Sequence, residues 1–262
     1  MRPTLLPLGE LAIPTHDAFL LLGVAAAFAF YLWEARRRRK LTEKTLWVAI
    51  GALLGGAVFG KLSTGWQYLA TAPEPTLQGL WLQGGRSVLG GLAGAYFGAI
   101  VTKRIVGYRE RTGDLFAPAV ALGLAIGRIG CFLTEQVGTP TSLPWGITLD
   151  PAIGSQIANC PQCVSGIPLH PSFLYEIAFL ALAFGGLLVL RGRIPVQGEL
   201  LKIFLLSYGL FRFVVEFVRG NPEFWLGLSG SQLFLLVTVP FVGVYFLRQW
   251  SQGAYRTRQV AT

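Results

Sequence analysis

A chain of long apolar runs with basic residues gathered at alternate ends has few ways to fold, and this sequence is of that kind. The runs are Ala18–Trp33, Thr45–Gly60, Val88–Val101, Leu115–Leu133, Ser172–Leu190, Glu199–Val218 and Ser231–Leu247. A membrane-crossing helix needs roughly 20 largely apolar residues. The first three runs fall short of that, so tilt, local thinning or re-entry accommodates them. Only 13% of the residues are charged, against about 25% in an average soluble domain. The expectation is an all-α polytopic membrane protein with seven transmembrane helices.

Lysine and arginine set orientation through their preference for the inner side. With the N-terminus outside and the C-terminus inside, sixteen of the 22 basic residues fall in inner segments. These include Arg36 to Lys40, Lys103, Arg104, Arg191 and Arg248. The net charge of +9 is thereby a matter of topology, and no nucleic-acid partner is expected. The first run follows a segment without a charged start or a small-residue cleavage site, so it is expected to stay as an uncleaved span. One domain, 1–262, is expected, with an outer loop at about 134–171.

Six basic residues resist this bias. Arg2 is terminal and Lys61 ends the second run. Arg86, Arg128, Arg212 and Arg219 lie at or near outer ends of runs. Arg128 and Arg212 have apolar neighbours on both sides. A guanidinium cannot be neutralised at physiological pH, so in lipid each needs a carboxylate, water or an anionic ligand. Head-group anchoring or structural ion pairs would serve; four cations at one outer surface also suit a phosphate.

Tyr208, Arg212 and Glu216 recur at intervals of four and share one helical face, with Arg219 extending it. Glu216 can neutralise Arg212 or orient its fork. His170-Pro171-Ser172 opens the fifth run, where proline presets the helix start and free N–H groups favour anions. His16, the only other histidine, falls near the same outer interface. Gly51-x₃-Gly55, Gly56-x₃-Gly60 and Gly90-x₃-Gly94-x₃-Gly98 favour close helix approach.

Cys160-x-x-Cys163 lies in the outer loop. A local disulfide is the first reading; redox exchange, free thiols and zinc remain open, although histidine and cysteine are scarce for zinc. Cys131 reads as a small buried residue. No nucleotide-binding or nucleophile-elbow motif occurs, and no metal or cofactor is expected.

Several blocks together resemble the bacterial prolipoprotein diacylglyceryl transferase family. They are Gly90-Gly91-Leu92, Gly127-Arg128-Ile129-Gly130, Pro144-Trp145-Gly146, His170-Pro171-Ser172-Phe173-Leu174-Tyr175-Glu176, and the stretch from Tyr208-Gly209-Leu210-Phe211-Arg212 through Glu216 to Arg219. They stand in the family's order and cover most of the chain. The resemblance implies seven spans with the N-terminus outside, in a bacterial plasma membrane. It implies transfer of a diacylglyceryl group from phosphatidylglycerol to the lipobox cysteine of a preprolipoprotein signal peptide, giving a thioether and glycerol phosphate. Arg128 and Arg212 would contact the lipid phosphoglycerol, with Tyr208, Glu216, His170 and Arg219 around them. Arg86, Cys131 and His16 are further candidates for substrate contact.

The sequence also departs from the family pattern. Leu89 stands where a histidine, a favoured candidate base, is usual. Cys131 replaces a common asparagine, and His16 a tyrosine. Thr134-Glu135-Gln136-Val137-Gly138 replaces the usual Asn-Gly-Glu pattern. Either His16, His170 or Glu135 takes the proton, or the chain is a diverged relative. Such a relative would act on another acceptor, or only bind membrane lipids without turnover. A small-molecule transporter is a further rival; no inverted repeat supports it.

Overall fold

The computed structural model describes residues 4–8, 11–71, 74, 76–82, 85, 87–135, 137–155 and 160–255. It is mostly helical (71%). In chain order the elements are β1 (Thr4–Leu8), β2 (Leu11–Pro14), α1 (Thr15–Arg37), α2 (Glu43–Thr71), α3 (Leu77–Leu82), α4 (Val88–Ile105), α5 (Gly113–Thr134), α6 (Pro151–Gly154), α7 (Ser172–Leu190), α8 (Glu199–Val215), β3 (Glu223–Trp225), β4 (Leu228–Ser229) and α9 (Gly230–Ser251). Two 3₁₀ turns, Pro161–Val164 and Glu216–Val218, complete them.

Among the described residues, five helices are long and apolar enough to cross a membrane: Thr15–Arg37, Glu43–Gly65, Gly113–Thr134, Ser172–Leu190 and Gly230–Ser251. They correspond to the first, second, fourth, fifth and seventh expected spans. α4 spends its last turn on Lys103 and Arg104. α8 has 17 residues and carries Glu199, Lys202 and Arg212. The charges make α4 less apolar, and α8 is shorter than those five. The short antiparallel pairs β1–β2 and β3–β4 were not expected from the hydropathy pattern.

The chain divides into two compact units, one of residues 1–31 and 111–262, the other of residues 32–110. In the second unit α2 and α4 lie backbone to backbone. A Cβ on Gly55 would sit 2.3 Å from the Gly94 carbonyl oxygen, and one on Gly98 2.2 Å from that of Gly51. Only glycine permits this approach.

In the first unit α5 is the central helix. It buries 44% of its span, against 11% for α9, whose Phe241 and Leu247 are exposed. Exposed apolar side chains on spanning helices are what a lipid environment requires. Gly23 and Gly123 bring α1 against α5: a Cβ on Gly23 would meet the Gly123 carbonyl oxygen at 2.5 Å. At the other end of α5, Asp114 accepts hydrogen bonds from Gly198 N (2.9 Å) and Leu200 N (3.2 Å). It thus caps α8, whose own N-cap is glycine and has no side chain to do so. α8 is anchored to α5 and presents its far end beside the C-terminal half of α5.

The loop between α5 and α7 is packed. Val137, Cys160, Cys163 and Leu169 form a small buried core with Leu149 against it. Cys160 and Cys163 are joined by a disulfide. Thr139 N donates to Val218 O at 2.9 Å, and His170 N to Thr139 O at 2.9 Å. The loop is therefore tied to the end of α8 and to the start of α7.

Candidate functional site: an ionic cluster between three helices

Three helices of the first unit contribute charges that cannot stay alone in an apolar interior. α5 brings Arg128, α7 brings Glu176, and α8 with its 3₁₀ extension brings Tyr208, Arg212, Glu216 and Arg219. Glu176 is fully buried, and Arg128, Arg212 and Glu216 nearly so. A buried charge persists only if it is paired.

Glu176 is the junction. Its Oε1 lies 2.8 Å from Arg128 Nε and accepts the Tyr208 hydroxyl at 2.5 Å. Its Oε2 accepts Arg219 Nη1 at 3.2 Å. Glu216 forms the second centre. Its Oε2 lies 2.5 Å from Arg212 Nη1 and 3.8 Å from Arg219 Nε. Its Oε1 accepts Asn221 Nδ2 at 2.7 Å and Ser229 Oγ at 2.9 Å. Arg219 touches both carboxylates, so the two pairs form one network. Phe173 lies under it, 4.4 Å from the Arg219 guanidinium and 5.7 Å from that of Arg128, distances suited to cation–π attraction.

Two features of this network favour an anion. Three guanidinium groups face two carboxylates, which leaves one positive charge in excess. Arg128 Nε and Arg212 Nη1, with the acceptor Glu216 Oε2, are also buried at ion-pair distance without hydrogen-bonding geometry. Buried donors of that kind gain from an acceptor, and a phosphate offers several in the geometry a guanidinium fork matches.

A second group adjoins the first. Arg128 Nη1 points at Cys131 Sγ, 3.6 Å away. The ligand-type atoms of Cys131, His16 and Glu135 lie within 4.8 Å of one another. His16 Nε2 is 3.3 Å from Glu135 Oε1, and its Nδ1 is 3.3 Å from Asp17 Oδ1. Gly130 makes room for this: a Cβ there would lie 2.8 Å from Phe19 Cβ. Burial alone would push the Glu135 carboxyl up; hydrogen bonds from His16 and Cys131 and the charge of Arg128 hold it instead at about 2. A carboxylate so stabilised is a weak proton acceptor.

The remaining candidates lie elsewhere. The ring of His170 contacts the Tyr175 hydroxyl at 3.3 Å, and Trp145 Nε1 donates to that same oxygen at 2.8 Å. His170 thus belongs to an aromatic group at the start of α7. Arg86 lies outside the described residues. Leu89 is buried in the second unit. Sequence reasoning assigns Glu176 no role; its one signal is that a carboxylate inside an apolar run needs a cation. Asn221 and Ser229, which hold Glu216, gave no sequence signal.

Comparison with known proteins matches residues 3–248 to the family model for prolipoprotein diacylglyceryl transferase. A phosphatidylglycerol–prolipoprotein diacylglyceryl transferase of Bordetella bronchiseptica is 33% identical, over 92% of this chain and 91% of its own length. The Bordetella avium protein of that name is 35% identical, over 86% of this chain and 84% of its own. One from Dehalococcoides mccartyi is 28% identical, over 94% and 92%.

Proposed function

Because the chain belongs to the prolipoprotein diacylglyceryl transferase family, we propose that it transfers a diacylglyceryl group from phosphatidylglycerol to the lipobox cysteine thiol of a preprolipoprotein. The reaction would take place at the outer face of a bacterial plasma membrane, in a chain with seven spans, its N-terminus outside and its C-terminus inside. α4 and α8 would supply the two spans beyond the five apolar ones.

One observation carries this reading: Arg128, Arg212 and Arg219 converge on Glu176, Glu216 and Tyr208 with a positive charge in excess. Attack of the acceptor sulfur on the glyceryl carbon forms a C–S bond and breaks the C–O bond to phosphate. The electron pair leaves on the phosphate oxygen, so negative charge grows there. Fixed guanidinium groups in a site that excludes water stabilise such charge without reorganising. Arg128 and Arg212 would hold the phosphate, Glu176 and Glu216 would fix their forks, and Arg219 would bridge the two. Tyr208 would orient Glu176 and the lipid head. His170 would stand at the mouth, with Trp145 and Tyr175.

Arg128→Ala or Arg212→Ala should abolish transfer from phosphatidylglycerol to a lipobox peptide in detergent. Full activity in both variants refutes the assignment of those arginines. Leu89 favours a second reading, because leucine takes no proton. In it the chain is a diverged relative that binds an anionic phospholipid, or passes it to another acceptor. A wild type that binds phosphatidylglycerol without turnover, and gains transfer with Leu89→His, would support that reading.

A further inference from the structure

The group formed by His16, Cys131 and Glu135 has the makings of a metal site. Its three donor atoms come from an imidazole, a thiol and a carboxylate and lie within 4.8 Å of one another. The His16 Nε2 to Glu135 Oε1 distance is 3.3 Å, which matches the edge of a tetrahedron with bonds of about 2.0–2.1 Å. Cys131 and Glu135 are one helical turn apart at the end of α5. Glu135 N donates to Cys131 O at 2.8 Å, which fixes their relative placement. His16 enters from the start of α1.

The outer contacts fit as well. A histidine that binds metal through one nitrogen usually gives its other N–H to a carboxylate. Here Nδ1 faces Asp17 Oδ1 at 3.3 Å and leaves Nε2 toward the group. Arg128 Nη1, 3.6 Å from Cys131 Sγ, places a positive donor where a thiolate would carry charge. Cys131 is 7% exposed, while the side chains of His16 and Glu135 keep 29% and 42% of their surface. One side is therefore open. Three protein ligands with an open fourth position is the arrangement of catalytic rather than structural zinc. Thiolate, imidazole and carboxylate together suit zinc better than magnesium or calcium.

We propose that His16, Cys131 and Glu135 bind a zinc ion whose open position takes the acceptor's cysteine sulfur and delivers it as thiolate beside the arginine cluster. This rests on the transfer reading above. It also supplies what Leu89 cannot, since a thiol that coordinates zinc is deprotonated outright. On binding, the thiol proton passes to water of the outer aqueous phase. The sulfur then forms its bond to the glyceryl carbon as the C–O bond breaks, and glycerol phosphate leaves with that electron pair. Two positions where the sequence departs from the family pattern, His16 and Cys131, meet at this one place.

The test uses the full chain in detergent, stripped with a chelator and reloaded with zinc or cobalt(II). Metal analysis should find one zinc per chain. The cobalt form should show a thiolate charge-transfer band and tetrahedral d–d bands. Both should vanish in Cys131→Ala and His16→Ala but persist in the double variant Cys160→Ser/Cys163→Ser. Chelation should lower transfer to a lipobox peptide at least about tenfold, and zinc should restore it, as loss of a metal's support typically does. Far-ultraviolet dichroism and thermal melting separate site loss from unfolding, and Cys131→Asn serves as a milder variant. No cobalt–thiolate band in folded wild type overturns the site. A band with transfer indifferent to chelation overturns thiol activation. A band with no transfer under any metal leaves the site standing and refutes the transferase reading instead.

Discussion

Replacing Glu176 with glutamine strikes the ionic cluster at its junction. Glu176 has no exposed surface and meets Arg128 at 2.8 Å, Arg219 at 3.2 Å and the Tyr208 hydroxyl at 2.5 Å. Glutamine keeps the shape and removes the charge. Three guanidinium groups would then face Glu216 alone. Breaking a buried pair from one side costs about 3–5 kcal/mol, because the remaining charge stays buried without compensation. The lower end applies here, since Arg219 Nε already lies 3.8 Å from Glu216 and can close on it. A chain of about this size shifts its Tm by about 2–4 °C per kcal/mol, so a loss of about 3 kcal/mol lowers Tm by about 6–12 °C. Intrinsic fluorescence, with seven tryptophans, follows the melt in detergent. Glu176→Gln combined with Arg219→Gln returns the excess to one positive charge and should recover part of the loss. The cluster would be refuted as a unit by a Tm within about 2 °C of wild type, or by effects that add to within about 0.5 kcal/mol.

Four further outcomes follow from the same geometry. Arg212→Lys keeps the charge and loses the fork; a hydrogen bond to a charged group is worth about 1.5–3 kcal/mol, so transfer should fall about tenfold to a hundredfold in a lipobox-peptide assay. Gly94→Ala would put a methyl 2.3 Å from Gly55 O and from Phe59 Cβ, and chemical denaturation should show a loss of about 1–3 kcal/mol. Opening the disulfide with Cys160→Ser/Cys163→Ser, a loop of separation 3, should lower stability by about 2 kcal/mol, as read by melting. Glu135 sits at about 2, below its ordinary 4.5, so its stabilising effect is present above pH 4.5 and fades as pH falls toward 2. Glu135→Gln should therefore melt lower than wild type at neutral pH, with the gap closing on acidification, in melts run across that range.

What the sequence could disclose was what lies within one helix. The apolar runs marked α1, α5, α7 and α9 because lipid demands length and composition. The four-residue interval placed Arg212 beside Glu216, which are 2.5 Å apart, because the helical period brings such positions together. Cys160 and Cys163 could bond because only two residues separate them. Contacts between helices obey no such rule. Glu176 meets Arg128 and Tyr208 because α5, α7 and α8 pack together, and nothing local in their residues encodes that. His16 meets Cys131 across more than a hundred residues through Gly130, whose missing side chain admits the start of α1. Taken singly, the histidine reads as an interface residue, the cysteine as core and the carboxylate as loop. Their chemistry emerges when a soft donor, an imidazole and a carboxylate share one small volume beside an arginine. A zinc assay therefore bears on more than one ion: it asks whether a chain with leucine at position 89 has moved thiol activation onto a different helix pair.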